Sequence, residues 1–432
     1  MDKHPRQSVL ARFGQGLAPR HQSRSIVRHL LAGCRTCQAF AARLLHGDYT
    51  AAFERARRAV EPFRLSLARE RSEAPELLRA LAAQPWERRI AAVSADPAWR
   101  TWALCELVLD AAQEWAFQDP ARALDMARLG VEMASRLDAG RYGEERVNDL
   151  AARAWAVLGN AERVRTDFRA AEGSFAKARK RLRAGTGDPL EKARVLLLEA
   201  SLRGRQRRLP EAFRLLDRVE AIGRRLEDSA LCAKARVVQG LLAGSEGEWD
   251  RAVGLLREGI SLMGRMGADA EPRLRVSAHH NLALVLTESG RHREGLEVLE
   301  RTRPLYLQLG DRMSLIRLEW LEGKIELALG NLDRAEALFL RVREELARHE
   351  LGHDAGLLLV DLARVYTQQG RAADLRRIAA EMLAIFRSRQ VPGEVLSAVI
   401  LFRRAAEMEG ITLGLIQELR HALEAVDKAG DC

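Results

Sequence analysis

The chain has 432 residues, 47% hydrophobic but only 5% aromatic, with Ala, Leu, Arg and Glu in heavy use; this is helix-forming stock, long enough for a large core or an elongated array. No apolar run reaches the ~18 residues that span a bilayer, the basic N-terminus lacks the apolar stretch of a secretion signal, and five cysteines with one close pair make no disulfide framework, so the expected location is the cytoplasm. The formal charge of +10 is uneven, with 18 Lys and Arg against 9 Asp and Glu in residues 1–100 and 52 against 51 in the remainder, so the basic N-terminal part faces an acidic partner, a phosphate backbone, or only water.

The run from His4 to Cys37 holds His4, His29, Cys34 and Cys37 in the pattern H-x24-H-x4-C-x2-C. Cys34 and Cys37 stand one helical turn apart, so both sulfurs face one ion, and thiolate with imidazole is the ligand set of a closed tetrahedral zinc site. His29 shares the helix or its entry, His4 swings in from the preceding segment, and His21 is a spare. With the His4-Pro5 opening, Leu10, Phe13, Gly16-Leu17 and the stretch Val27 to Cys34, the segment resembles the zinc-associated anti-sigma-factor domain over about the first 45 residues. That family usually places three residues between its second His and the first Cys. Four stand here, which turns His29 by roughly 100° on a helix, and a break near Gly33 absorbs the difference. Zinc is the cofactor implied; the alternative is a finger that keeps its helices without the metal. Residues 1–46 form this module, 47–100 an irregular helical joint, 101–390 a repeat array and 391–432 a capping segment.

The stretch 44–60 already carries a Gly-x-aromatic-x-x-Ala unit at Gly47, Tyr49 and Ala52, so the module is continuous with the array. Pro62, Pro75, Pro85 and Pro97 break residues 61–100, with Trp86, Trp99 and Trp102 packing the joint. Beyond it, small or apolar anchors recur at Ala123, Ala171, Ala212, Ala252, Gly295, Ala335 and Leu375, at spacings of 48, 41, 40, 43, 40 and 40. Such a period signals stacked helix pairs. Turns are expected at Gly247, Gly290, Gly330 and Gly370, where glycine supplies a left-handed cap. Leu158, Gly159, Phe168, Ala171, Phe175 and Ala178 match the consensus of the tetratricopeptide repeat, which the array resembles. Its usual period is ~34 residues, and longer helices account for the excess; HEAT repeats share the ~40-residue period but lack this signature. The expected fold is all-α, a right-handed α-solenoid behind a small zinc-finger-like module, closed by a C-terminal cap with Phe402 and Leu415 as buried contacts.

No HExxH, P-loop or dinucleotide fingerprint occurs, and no nucleophile stands in a convincing relation to a histidine, so no enzyme is expected. Cys105 and Cys232 fall on apolar faces, and His279-His280 reads as packing. The tetratricopeptide resemblance implies that the first helix of each pair lines a concave groove for peptides. Its lining would be Arg163, Arg194, Lys234, His280, Arg317, Trp320, Lys324 and Arg364, a mostly basic wall suited to an acidic peptide or protein, with Trp320 as an apolar anchor. The competing reading pairs these cations with nearby Glu, Arg317 with Glu319 or Glu322. A second basic cluster, Lys177 to Arg183 and Arg203 to Arg208, admits a nucleic-acid reading. Two functional classes are open: an adaptor whose groove binds one partner and whose finger meets a second, a sigma factor or other transcription component; or a nucleic-acid-associated regulator using the basic N-terminus.

Overall fold

The computed structural model describes residues 5–14, 20–31, 34–44, 50–116, 118–267, 270–348, 352–388, 399–400, 402–403, 405–406 and 412–426. All regular structure among them is helical. Three short helices, α1 (Gln7–Gly14), α2 (Arg20–Leu31) and α3 (Arg35–Leu44), enclose a small core of Leu10, Ile26, Leu30 and Cys37. Val27 is 40% exposed. Ile26, one residue earlier and so ~100° around the helix, takes the inward place.

The joint is more regular than its prolines suggest. One helix, α4 (Thr50–Ala82), runs through both Pro62 and Pro75. An interior proline removes one backbone bond and crowds the preceding turn, yet Ala74 and Leu81, with Leu77 and Leu78 beside them, join the core that α6 (Trp102–Trp115) supplies, and this packing overrides the break. Between them lie α5 (Trp86–Ala95) and a 3₁₀ turn, Pro97–Trp99. Trp86, Trp99 and Trp102 pack against the same core, as expected.

From α6 onward the helices pair: α6 with α7 (Pro120–Ser135), α9 (Glu144–Val164) with α10 (Phe168–Arg183), α11 (Pro189–Arg205) with α12 (Leu209–Leu226), and α13 (Ser229–Ser245) with α14 (Trp249–Met266). The series continues as α15 (Pro272–Glu288) with α16 (His292–Leu309), α17 (Arg312–Ala328) with α18 (Leu332–Arg348), and α19 (Gly352–Gln368) with α20 (Ala372–Ser388). Helix α21 (Leu413–Val426) packs on α19. This is the tetratricopeptide-like solenoid the repeat spacing predicts. All seven anchors fall on second helices and are buried, Ala252 and Ala335 completely. Opposite them, Gly159, Gly240 and Gly323 let the helices touch: a Cβ on Gly323 would lie 2.5 Å from Phe339.

From α9 onward the turn within each pair repeats one backbone motif. Gly247, Gly290, Gly330 and Gly370 all have positive φ, between 68° and 84°. The residue after each donates its N–H five residues back, from Glu248 to Ala243 (3.0 Å), Arg291 to Leu286 (2.8 Å), Asn331 to Glu326 (2.9 Å) and Arg371 to Tyr366 (2.9 Å). This is the Schellman closure of a helix end. In the two upstream pairs Thr166 (φ 64°) and Arg207 (φ 58°) hold the same place without a glycine. The irregular spacings lie elsewhere: the 48-residue step contains α8 (Ala139–Tyr142), inserted between α7 and α9.

Candidate functional site

Two places gather the residues singled out by the sequence. In the N-terminal bundle, one ligand atom each of His29, Cys34 and Cys37 lies within 4.8 Å of the other two. Zn–S bonds of ~2.3 Å set tetrahedral ligand separations near 3.8 Å, so this cluster fits zinc after a small contraction. Burial pushes the Cys37 thiol up to about 11, and a hydrogen bond and the charge of Cys34 add to the rise. A divalent cation is what converts such a pair to thiolates. His4 and the side chain of His21 fall outside the described residues, so three of the four expected ligands are brought together.

The concave face holds a trough of about 1110 Å³, lined from α4, α6, α9, α11, α13 and the start of α15. Its floor is apolar, with Ala156, Val157, Val195, Leu198 and Leu231, and its walls are charged. Arg194 and Lys234 line it; Arg163 does not, and its guanidinium bonds Asn160 at 3.0 Å. The residue in register with Arg194, one repeat upstream, is Arg153, which sequence reasoning missed. The 41-residue step from Ala171 to Ala212, carried back from Arg194, lands on it.

The wall is of mixed sign rather than basic. Arg153 donates to Glu191 (3.0 Å), which also pairs with Arg194 (2.9 Å); Lys234 pairs with Glu271 (2.8 Å) and Arg273 with Asp311 (3.1 Å). Arg153, Lys234 and Arg273 thus bridge consecutive first helices or their N-caps, forming a ladder along the groove. Glu106, Asp110 and Glu114, four residues apart on α6, add carboxylates to the same trough. Desolvation by the surrounding walls raises the Asp110 carboxyl above its ordinary range, although the residue as a whole is exposed. Repeat position alone selects the cations and leaves out the acids one turn away.

Downstream, His280, Trp320 and Lys324 meet polar partners inside the protein. His280 Nδ1 stands 2.8 Å from the Tyr306 hydroxyl, and burial, then the charges of Arg317 and Lys324, hold the imidazole down to about 4. Trp320 donates its indole N–H to Asp361 at 2.8 Å, and Lys324 lies 3.9 Å from the same carboxylate. Glu319 pairs with Arg341, and Glu322 with Arg303 and Arg334. Arg364 is half-buried on α19, one 40-residue period past Lys324. Cys105 and Cys232 are core, as expected, and His279 bonds the Arg275 carbonyl. In the second basic cluster Arg179 pairs with Glu199, Arg203 with Glu172, Arg208 with Glu211 and Arg207 with Glu246, while Lys177 stacks over Trp155.

No described helix is long and apolar enough to cross a membrane. No protein-family model matches the chain, and no curated protein does, so the N-terminal resemblance rests on its residues. Among solved structures, a Rap protein complexed with Competence and Sporulation Factor superposes with a TM-score of 0.55 at 12% identity, over 75% of this chain and 87% of that one. Aspartyl phosphate phosphatase F from Bacillus subtilis aligns at 0.49 and 13% identity, over 90% and 96%. The first likeness shows the fold, a tetratricopeptide-like α-solenoid.

Proposed function

We propose that the chain is a non-enzymatic adaptor that holds a segment of a protein or peptide partner in the concave trough. The observation that carries this is the trough itself, about 1110 Å³ with an apolar floor between charged walls, the surface that reads extended or helical peptides in such arrays. The solved Rap structure is a complex with a factor, which agrees with a binding role for this architecture. The mixed wall favours a segment carrying both signs of charge over a purely acidic one. The N-terminal bundle binds zinc through His29, Cys34 and Cys37 with His4 as the fourth ligand, and meets a second partner; the anti-sigma resemblance points to a sigma factor or other transcription component.

A photo-cross-linking side chain placed at Leu198, on the trough floor, tests the groove in the native host. Polypeptide adducts are expected there and not from Arg301, whose side chain is 80% exposed on a second helix. Adducts removed by nuclease, with affinity falling steeply in salt, would instead establish the nucleic-acid reading.

A further inference from the structure

The concave face continues beyond the trough, over α15, α17 and α19, and there the chain covers itself. Helix α21 packs on α19 and buries Ile416 and Leu419 in the apolar cluster against which Trp320 also packs. The side chain of Arg420, 14% exposed, reaches Asp361 on α19 and Glu288 on α15, both at 3.4 Å. Asp361 is 1% exposed and also receives the Trp320 indole N–H. A helix that only capped the array would contact the last pair. Arg420 reaches further, bridging first helices two repeats apart, 132 residues back along the chain to Glu288. Trp320 and Lys324, which the sequence marks as partner-binding residues, gather around Asp361, the carboxylate that Arg420 engages.

Building on the reading of this face as partner-binding, we propose that the downstream concave surface is a site for an amphipathic helix carrying an arginine, and that α21 is its internal, displaceable occupant. The recognition element is the pattern Ile416-x-x-Leu419-Arg420, two apolar knobs on α19 with the guanidinium set between Asp361 and Glu288. A partner helix with the same pattern takes the place of α21. A tethered segment competes at an effective concentration on the order of millimolar, so the site is closed to weak ligands and opens to a strong one.

The probe is a labelled synthetic peptide of the sequence Leu413–Val426, added to the full chain. Arg420→Glu sets a carboxylate against Asp361 and Glu288 and so releases the chain's own helix. The peptide is expected to bind the Arg420→Glu chain at least about tenfold more tightly than wild type, and the same peptide carrying its own Arg420→Glu should bind neither. Equal binding to both chains, or none to a variant whose helical signal and melting midpoint are unchanged, overturns the proposal. If the variant does not fold, hydrogen exchange on the wild-type chain decides: α21 amides are expected to open at least about tenfold faster than those of α19. Exchange of the two helices as one unit would make α21 a fixed cap. Both measurements read the downstream surface alone, so cross-linking at Leu198 stands or fails separately.

Discussion

Thr166 occupies a backbone conformation that four later repeats reserve for glycine. A β-branched residue in the left-handed region costs about 1–2 kcal/mol, against about 0.5–1 kcal/mol for the extra chain entropy of glycine. Thr166→Gly is therefore expected to stabilise the protein by on the order of 0.5–1 kcal/mol, readable as a raised urea midpoint with an unchanged slope. His280 gives a prediction in pH. Burial beside Arg317 and Lys324 puts its folded-state pKa at about 4, below the ~6.5 of an unfolded chain. Between these values the unfolded chain binds more protons, so stability is fully present above about 6.5 and falls as pH drops toward 4. Urea midpoints of wild type and His280→Gln, compared at about pH 7.5 and 5, should show the larger acid loss in wild type; equal losses would place the imidazole in a wetter setting. The glycines of the turns were legible in the sequence because only glycine relieves that strain cheaply. Thr166 and Arg207 were not, since the backbone hydrogen bonds that impose the conformation leave no mark on residue type.

At the level of the element, periodicity was the strong signal. Every anchor from Ala123 to Leu375 sits on the second helix of a pair, because close helix contact needs a small or well-fitted residue once per repeat. Proline was the misleading signal: Pro62 and Pro75 lie inside α4, where contact with α6 outweighs a local penalty. The C-terminal helix shows the same limit at finer grain, since Ile416 is buried and Leu415 only partly so. The metal cluster was legible as a spacing, and His29 stands beside both cysteines despite the extra residue. Protein made in zinc-replete medium is expected to carry about one zinc, and Cys37→Ser to lose it. Structural zinc is worth ~10–16 kcal/mol in isolated fingers, but the repeats have cores of their own, so circular dichroism should show the array still helical. Elemental analysis of both proteins checks the first half, and zinc-free wild type would leave a metal-less finger.

Across the whole molecule, each repeat touches mainly its neighbours, and damage should stay near its source. Ala335 is fully buried on α18, one turn before the Phe339 that closes on Gly323, and shares its apolar cluster. Ala335→Leu is expected to cost ~1–3 kcal/mol by overpacking. Hydrogen exchange should then rise in α17 to α20 and stay unchanged in α9 to α12; uniform loss would mean that the array melts as one unit. The groove's charges were the least legible feature at this scale. Sequence alone marks cations on successive first helices, but whether Arg153 meets Glu191, or Lys234 meets Glu271, depends on the rise between stacked helices. Arg420 makes that rise consequential in a further way. By tying α15 to α19 across the inner face, it acts as a splint on one half of a spring. Upstream, Arg153 ties Glu106 on α6 to Glu191 on α11 and belongs to the repeats themselves, whereas the downstream strut is borrowed from the chain's end, so the stiffness of that half is set by whatever occupies the place of α21.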